Sequence, residues 1–355
     1  MAIKIPKNAK GYTYIQAEAP SGLIQGGDSW FDTILEYGRV YDDINQKWKV
    51  IIDGKGYGYI LSIYNGSSLS SVERIQFSFD SGTPSLVGNL TSTKTAISTC
   101  NSSQYGYCMG GWVSAAQTSS VDRFSFPFNS GVANTAGNLS NSVNSGNGCN
   151  SSNHGFSFGN SDGGSAYSQM DRITFPFDSG TGDYIGNLTA TNAYSPAVVN
   201  SSTHGYVMGG YNGVNLSTVD RIQFPNNSGN ATHIGNLSKT KYGGYGCNSS
   251  NYGFSIGGYT SSYFTDIERI LFPFDSGTAS NVGNLSFSST YHSACNSSTQ
   301  GYSLGGYLYV PTYFSYITKF SFPFDSGTSI NVGNMSTNGG QCKGLDTTDF
   351  NGLFD

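Results

Sequence analysis

Beyond residue 54, apolar and polar positions alternate with a period of two over short runs broken by glycine. The run VDRFSFPF sets Phe124, Phe126 and Phe128 on one face, and the run GYCMGG sets Tyr107 two residues before Met109. That period belongs to half-buried β-strands. The second pattern returns as Phe156 with Phe158, Tyr206 with Met208, Phe254 with Ile256 and Tyr302 with Leu304. The apolar pattern is therefore itself repeated, and the chain predicts all-β structure.

The tripeptide Gly-Asn-Leu or Gly-Asn-Met measures the repeat. It begins at Gly88, Gly137, Gly186, Gly235, Gly283 and Gly333, in steps of 49, 49, 49, 48 and 50 residues. A basic residue precedes each glycine by 14 positions: Arg74, Arg123, Arg172, Arg221, Arg269 and Lys319. Each unit reads as four strands: a, ending in Cys-Asn-Ser-Ser; b, of the GYSLGG type; c, of the DRFSFPF type; and d, around Val-Gly-Asn-Leu. Asp-Ser-Gly between c and d is an Asx-type turn in which glycine supplies positive φ. Six such units predict a six-bladed β-propeller of four-stranded blades. Leu345 and Asp346 stand 12 and 13 residues after Gly333, where Cys100 and Asn101 stand after Gly88, so the C-terminal segment near 345–354 is expected to supply strand a of the first blade.

Chain length varies only between b and c and between d and a, connections that emerge on one end of an up-and-down antiparallel blade. The same connections carry large aromatic residues, and Trp112, Tyr167, Tyr263, Phe264, Tyr309 and Tyr313 are the candidate binding residues. Rigid scaffolds place binding groups on variable loops, where tyrosine gives contact area at low entropic cost. The first aromatics after each Gly-Gly, Tyr211, Tyr259 and Tyr307, are expected mainly to pack between blades.

The slot of Cys100, Cys149, Cys247 and Cys295 also accepts Val199 and Leu345, which reads as a small buried apolar position with free thiols. Asp122, Asp171, Asp220, Glu73 and Glu268 each precede the repeated arginine, and such recurrence predicts inter-blade bonds in place of an active site. His154 and His204 fall in a–b turns, away from any cysteine or carboxylate at metal spacing. No metal, no cofactor and no enzymatic residue is expected. The Asn-X-Ser/Thr strings at Asn89, Asn101, Asn138 and Asn187 follow from the turns of the repeat.

Composition narrows the partners. Charged residues make up 11% of the chain and the net charge is −5, so the surface must be built from Ser, Thr, Asn and Gly, and no basic stripe offers itself to nucleic acid. No apolar run approaches the roughly 18 residues of a membrane span. The start, MAIKIPKNAKGYTYIQ, has no apolar core of a signal peptide, so classical secretion is not expected.

Residues 1–53 lack the repeat and form a separate adaptor, leaving 54–355 to the propeller. The order of strands, with Gly-Gly closing b, resembles the kelch motif, although Gly-Asn-Leu stands where kelch repeats carry a Trp on d. The string GDSWFDT, Gly27 to Thr33, a following Tyr-rich strand with YDD and then Trp48 resemble a small β module of tailed-bacteriophage structural proteins. The DRI strands and NSS–GY–GG hairpins are similar to kelch-like propellers of phages. The resemblance implies a non-enzymatic virion protein, made in the host cytoplasm, with Trp30, Phe31 and Trp48 in an N-terminal attachment segment that contacts other virion proteins. It implies a tail fibre or appendage whose variable face binds a host surface glycan or receptor. The alternatives are a purely structural head-decoration or tail-assembly protein and, with less support, a carbohydrate-active enzyme.

Overall fold

The structure is a computed structural model. It describes residues 56–159, 161, 167–190, 195–309 and 311–347, and the backbone of strands at 14–16, 29–32, 37–42 and 47–51. Contacts divide the chain into two units, Met1–Gly56 and Tyr57–Asp355. In the first, the strands Tyr14–Gln16, Ser29–Asp32, Tyr37–Asp42 and Lys47–Ile51 form one sheet in chain order, parallel between the first two and antiparallel thereafter.

The second unit is a six-bladed β-propeller of four-stranded antiparallel blades, with no helix among the described residues. The inner strands of blades 1 to 6 are Lys343–Asp346, Ser98–Asn101, Asn147–Asn150, Ala197–Asn200, Tyr245–Asn248 and Ser293–Asn296. Each lies against the next, and the sixth against the first, so the ring is closed. Blade 1 joins the two ends of this unit: Lys343–Asp346 pairs with Tyr57–Leu61, with Leu345 opposite Tyr59. Blade 2 carries an extra two-residue strand, Trp112–Val113, folded onto its extended third strand.

The letters of the repeat are contacts between neighbouring blades. The side chain in the cysteine slot fills a notch over the strand-b glycine of the next blade. A Cβ on Gly155 would meet Cys100 Sγ, one on Gly205 would meet Cys149 Sγ, and one on Gly106 would meet Leu345 Cδ2. All six cysteines are free and buried, and burial raises the pKa of the Cys100, Cys247 and Cys295 thiols, which leaves them unreactive. The Gly-Asn-Leu glycine gives way to the c–d turn of the following blade: a Cβ on Gly137 would come within 2.5 Å of the Gly180 carbonyl. Asn138 N–H then donates to that carbonyl at 2.9 Å, and Leu139 is buried.

The aromatic residues repeat the same logic. Tyr107 stacks on Phe175 of the next blade at 5.1 Å and its hydroxyl accepts from Phe177 N–H at 3.1 Å. Tyr59 with Phe126, Tyr206 with Phe272 and Tyr302 with Phe77 make the equivalent stacks. Each apolar cluster thus draws residues from two blades, as when Tyr59 and Leu61 pack with Phe124 and Phe128. Burying each such ring contributes about 1.5–3 kcal/mol, so the stability resides in the seams. The repeated basic residue crosses the same seams. Arg74 bonds the carbonyl of Phe128 and Asn129, Arg269 bonds the carbonyl of Phe324 and Asp325, and Lys319 closes the circle on Asp80.

Along the axis the inner strands alternate in size. One residue before the cysteine slot stand Thr99, Gly148, Val198, Gly246, Ala294 and Gly344, and one residue earlier still stand Ser98, Asn147, Ala197, Tyr245, Ser293 and Lys343. Blades with glycine at the first position carry a long side chain at the second, which gives the centre a pseudo-threefold packing. The three long side chains meet: Lys343 Nζ donates to Tyr245 Oη at 2.7 Å, Asn147 Oδ1 at 2.6 Å and the Gly146 carbonyl at 3.0 Å. Burial pulls this ammonium down to about 7, while its three oxygen acceptors favour the charged form.

Candidate binding face

The d–a and b–c connections interlock at one end of the propeller. Backbone bridges tie Thr95 to Trp112, Asn144 to Ser161, Tyr242 to Tyr259, Thr290 to Tyr307 and Gly340 to Tyr64. Inside them runs a belt of backbone hydrogen bonds from connector to connector. Ser145 N–H donates to Ala96, Ser195 to Ser145, Gly243 to Ser195, Tyr291 to Gly243 and Gln341 to Tyr291, at 2.7–3.1 Å. All six residues have φ between 42° and 68°, the left-handed region. Each stands four residues before the cysteine slot, where the chain turns from connector into inner strand.

Beneath the connectors, the acid of each third strand, where present, anchors the incoming d–a segment. Thr91 donates to Asp122 from both N–H and Oγ1, Ser140 Oγ donates to Asp171, Thr189 donates to Asp220, Ser238 N–H to Glu268 and Ser336 to Glu73. Two connectors add a buried cation, Lys94 on Asp122 at 2.9 Å and Lys241 on Glu268 at 2.6 Å. These carboxylates are inter-blade fasteners by position and by bonding. In blade 6, where Thr318 replaces the acid, Ser286 N–H donates to Ser329 Oγ at 3.0 Å instead.

On this base stands an arc of tyrosines over blades 4, 5, 6 and 1. Tyr211 packs on Tyr242 at 5.3 Å, and Tyr242 on Tyr259 at 5.6 Å and Tyr291 at 6.0 Å. Tyr259 meets Tyr263 at 4.8 Å, and Tyr291 stacks on Tyr307 with the rings 4° from parallel. Tyr307 meets Tyr313 at 5.8 Å, which meets Tyr64 at 6.0 Å. Burial raises the pKa of Tyr242, Tyr263, Tyr307 and Tyr313, and neighbouring tyrosines push each further in the same direction. These hydroxyls therefore stay protonated across the physiological range. The Tyr313 hydroxyl is buried without a hydrogen-bond partner among the described residues.

Of the six loop residues expected from the sequence, Tyr263, Tyr309 and Tyr313 come together on the arc. Tyr309 is 63% exposed at a hairpin tip, close enough to Tyr263 to raise its pKa. Phe264 is half-buried beside them under the Lys239 ammonium, which pairs with Asp266. Trp112 and Tyr167 stand apart on blades 2 and 3. Tyr211, Tyr259 and Tyr307, expected as packing residues, pack as the inner course of the arc. Tyr242 and Tyr291 are additions from the d–a connectors; the signal for them was an aromatic residue four or five positions before the cysteine slot. The side chains of Trp30, Phe31 and Trp48 lie outside the described residues.

The opposite end of the axis holds a small cavity, about 80 Å³, rimmed by Asn101, Asn150, Asn200, Asn248, Asn296 and Asp346. The side chains of Asn150, Asn248, Asn296 and Asp346 accept from the backbone of the preceding blade, as Asp346 Oδ2 does from Asn296 N–H at 3.0 Å. His154 and His204 are half-buried at this end, and burial lowers both pKa values. No group of three or more metal-ligating side chains gathers among the described residues.

No protein-family model matches the chain, and no curated protein matches it in sequence.

Proposed function

We propose that the chain is a non-enzymatic virion protein of a tailed bacteriophage, a tail fibre or surface appendage that engages a host surface receptor through the connector end of its propeller. The observation that carries this reading is the concentration of tyrosine on one end of a ring whose other end is uniform. Nine tyrosines, Tyr64, Tyr211, Tyr242, Tyr259, Tyr263, Tyr291, Tyr307, Tyr309 and Tyr313, lie there on connectors held by shared backbone bonds. A preorganised aromatic surface binds without the entropic cost of ordering its loops. The kelch-like strand order and the Gly27–Thr33 string support the phage origin, and the N-terminal unit is the candidate attachment segment. Non-enzymatic action fits the acids of the third strands, each engaged in fastening a connector.

Labelling intact particles with an antibody to the propeller, together with competition of adsorption by the free protein, tests the proposal. Surface labelling with blocked adsorption is the expected result. Labelling without competition favours a head-decoration or tail-assembly role, and particles free of label overturn the virion assignment.

A further inference from the structure

We infer that the connector end of blades 5 and 6 is a subsite for an uncharged saccharide, an assignment that rests on the receptor reading above and narrows it to a ligand class. Three observations converge on it. Tyr307 meets Tyr313 at 5.8 Å and stacks on Tyr291, Tyr291 meets Tyr242 at 6.0 Å, and Tyr242 and Tyr263 flank Tyr259, so the phenols of Tyr242, Tyr263, Tyr307 and Tyr313, from three connectors, share one small region. Each is held protonated and can both donate and accept, which matches the hydroxyls of a sugar ring. The Tyr313 hydroxyl has no hydrogen-bond partner among the described residues, so its donor and acceptor capacity is left unused at this end.

Charge decides the class. The lysines of the neighbouring connector are both engaged, Lys239 with Asp266 and Lys241 with Glu268, and the b–c connectors of blades 5 and 6, residues 257–265 and 305–316, contain no charged residue. A phosphate or a uronic or sialic acid would find no free cation here among the described residues, and desolvating its charge would go uncompensated. A neutral pyranose needs only ring faces for its C–H groups and protonated hydroxyls for its edges. The backbone bridges of Tyr242 to Tyr259 and Thr290 to Tyr307 hold those faces in place before any ligand arrives.

The test probes the full chain against an array of neutral, sialylated, uronic-acid and phosphorylated glycans, followed by calorimetry with the best neutral oligosaccharide. Binding confined to neutral glycans, and unchanged between about 0.05 and 0.5 M salt, is expected. Tyr263→Ala and Tyr313→Ala should each weaken it at least about tenfold, the loss of one stacking and hydrogen-bonding group. Tyr313→Phe, which keeps the ring and the fold, should weaken it by about threefold or more. Tyr184→Ala, at an exposed tyrosine on the outer strand of blade 3, should leave it unchanged. Binding of acidic glycans alone, binding of none, or full affinity in Tyr313→Ala overturns the assignment. A protein that blocks adsorption yet binds no glycan refutes the saccharide and leaves the receptor reading standing. Neutral-glycan binding by a protein missing from particles does the reverse.

Discussion

The two ends of the propeller solve one problem differently. At the turn end, each blade grips the next with nearly the same parts: a glycine that admits a turn carbonyl, an asparagine whose N–H pairs with it at five seams and, as Asn187, with Asn230 Oδ1 at the sixth, and a basic residue on the turn beyond. At the connector end the fastening position repeats but its partners do not. Asp122 holds Lys94 and Thr91, Asp171 holds Ser140 and Gln169, Glu268 holds Lys241 and Ser238, and blade 6 uses a pair of serines. Where backbone meets backbone, only one residue type fits and the letters recur. Where side chain meets side chain, several combinations serve, and the surface above them is free to differ from blade to blade.

The sharpest challenge to that contrast comes from the connector end. Lys94 and Asp122 are almost fully buried, so Lys94→Met leaves a carboxylate in the interior with only hydroxyl and amide partners. Breaking one side of such a pair costs about 3–5 kcal/mol. Denaturant melts should show this loss in Lys94→Met, with the double variant Lys94→Met/Asp122→Leu recovering part of it. A loss below 1 kcal/mol would mean the pair behaves as a surface ion pair and that connector fastening is dispensable.

At the turn end the matching probe is Gly137→Ala. The added Cβ meets the Gly180 carbonyl in a position whose φ is +144°. Overpacking of this kind costs about 1–3 kcal/mol, and the loss should recur at the same size in Gly88→Ala and Gly283→Ala, whose surroundings match. Unequal losses among the three would break the claim that this end is uniform.

The next difference is read by pH. His292, on the connector between blades 5 and 6, is fully buried against Tyr245, and burial, with Lys241 nearby, lowers its pKa to about 3. The unfolded chain, with a histidine near 6.5, then binds the extra proton first. Stability from this group is present above about 6.5 and is lost as pH falls toward 3, at up to about 1.4 kcal/mol per unit. His292→Gln should flatten that slope relative to the native chain. Buried Glu73 and Asp171, whose pKa values burial raises, contribute slopes of the opposite sign in both proteins and cancel in the difference.

These cases also show what a reader of the sequence can recover. The ring, its six units and the location of variation were legible because backbone contacts leave no choice of residue, as at Gly137 and in the notch over Gly155. The cysteine slot was readable as apolar from Val199 and Leu345, but not as the filler of a neighbour's glycine notch, since that contact spans two blades. The arc was half legible: Tyr263, Tyr309 and Tyr313 lie in long loops, whereas Tyr242 and Tyr291 lie in connectors that look like spacers until the ring brings them beside Tyr259 and Tyr307. The meeting of Lys343, Asn147 and Tyr245 at the axis was not legible, because three blades separated by about a hundred residues each must be superposed to see it.

The smallest effect concerns the belt, where the two kinds of constraint overlap. Ala96, Ser145, Ser195, Tyr291 and Gln341 hold left-handed φ values that favour glycine, and only Gly243 in this circle is one. The belt bonds fix the backbone and do not dictate which side chain stands there, so the position tolerates a strain of about 1 kcal/mol per residue to gain variety at the mouth of the ring. Ala96→Gly removes that strain and loses one methyl, while adding freedom to the unfolded chain worth somewhat less. The variant should therefore be more stable by about 0.5 kcal/mol and melt about 1 °C higher. At the same slot Gly243→Ala should be destabilising, because its Cβ would meet Thr290 Oγ1. Opposite signs at one repeated position would establish that the belt sets the backbone and the neighbours set the side chain; a loss of stability in Ala96→Gly would show instead that the alanine is held there by packing.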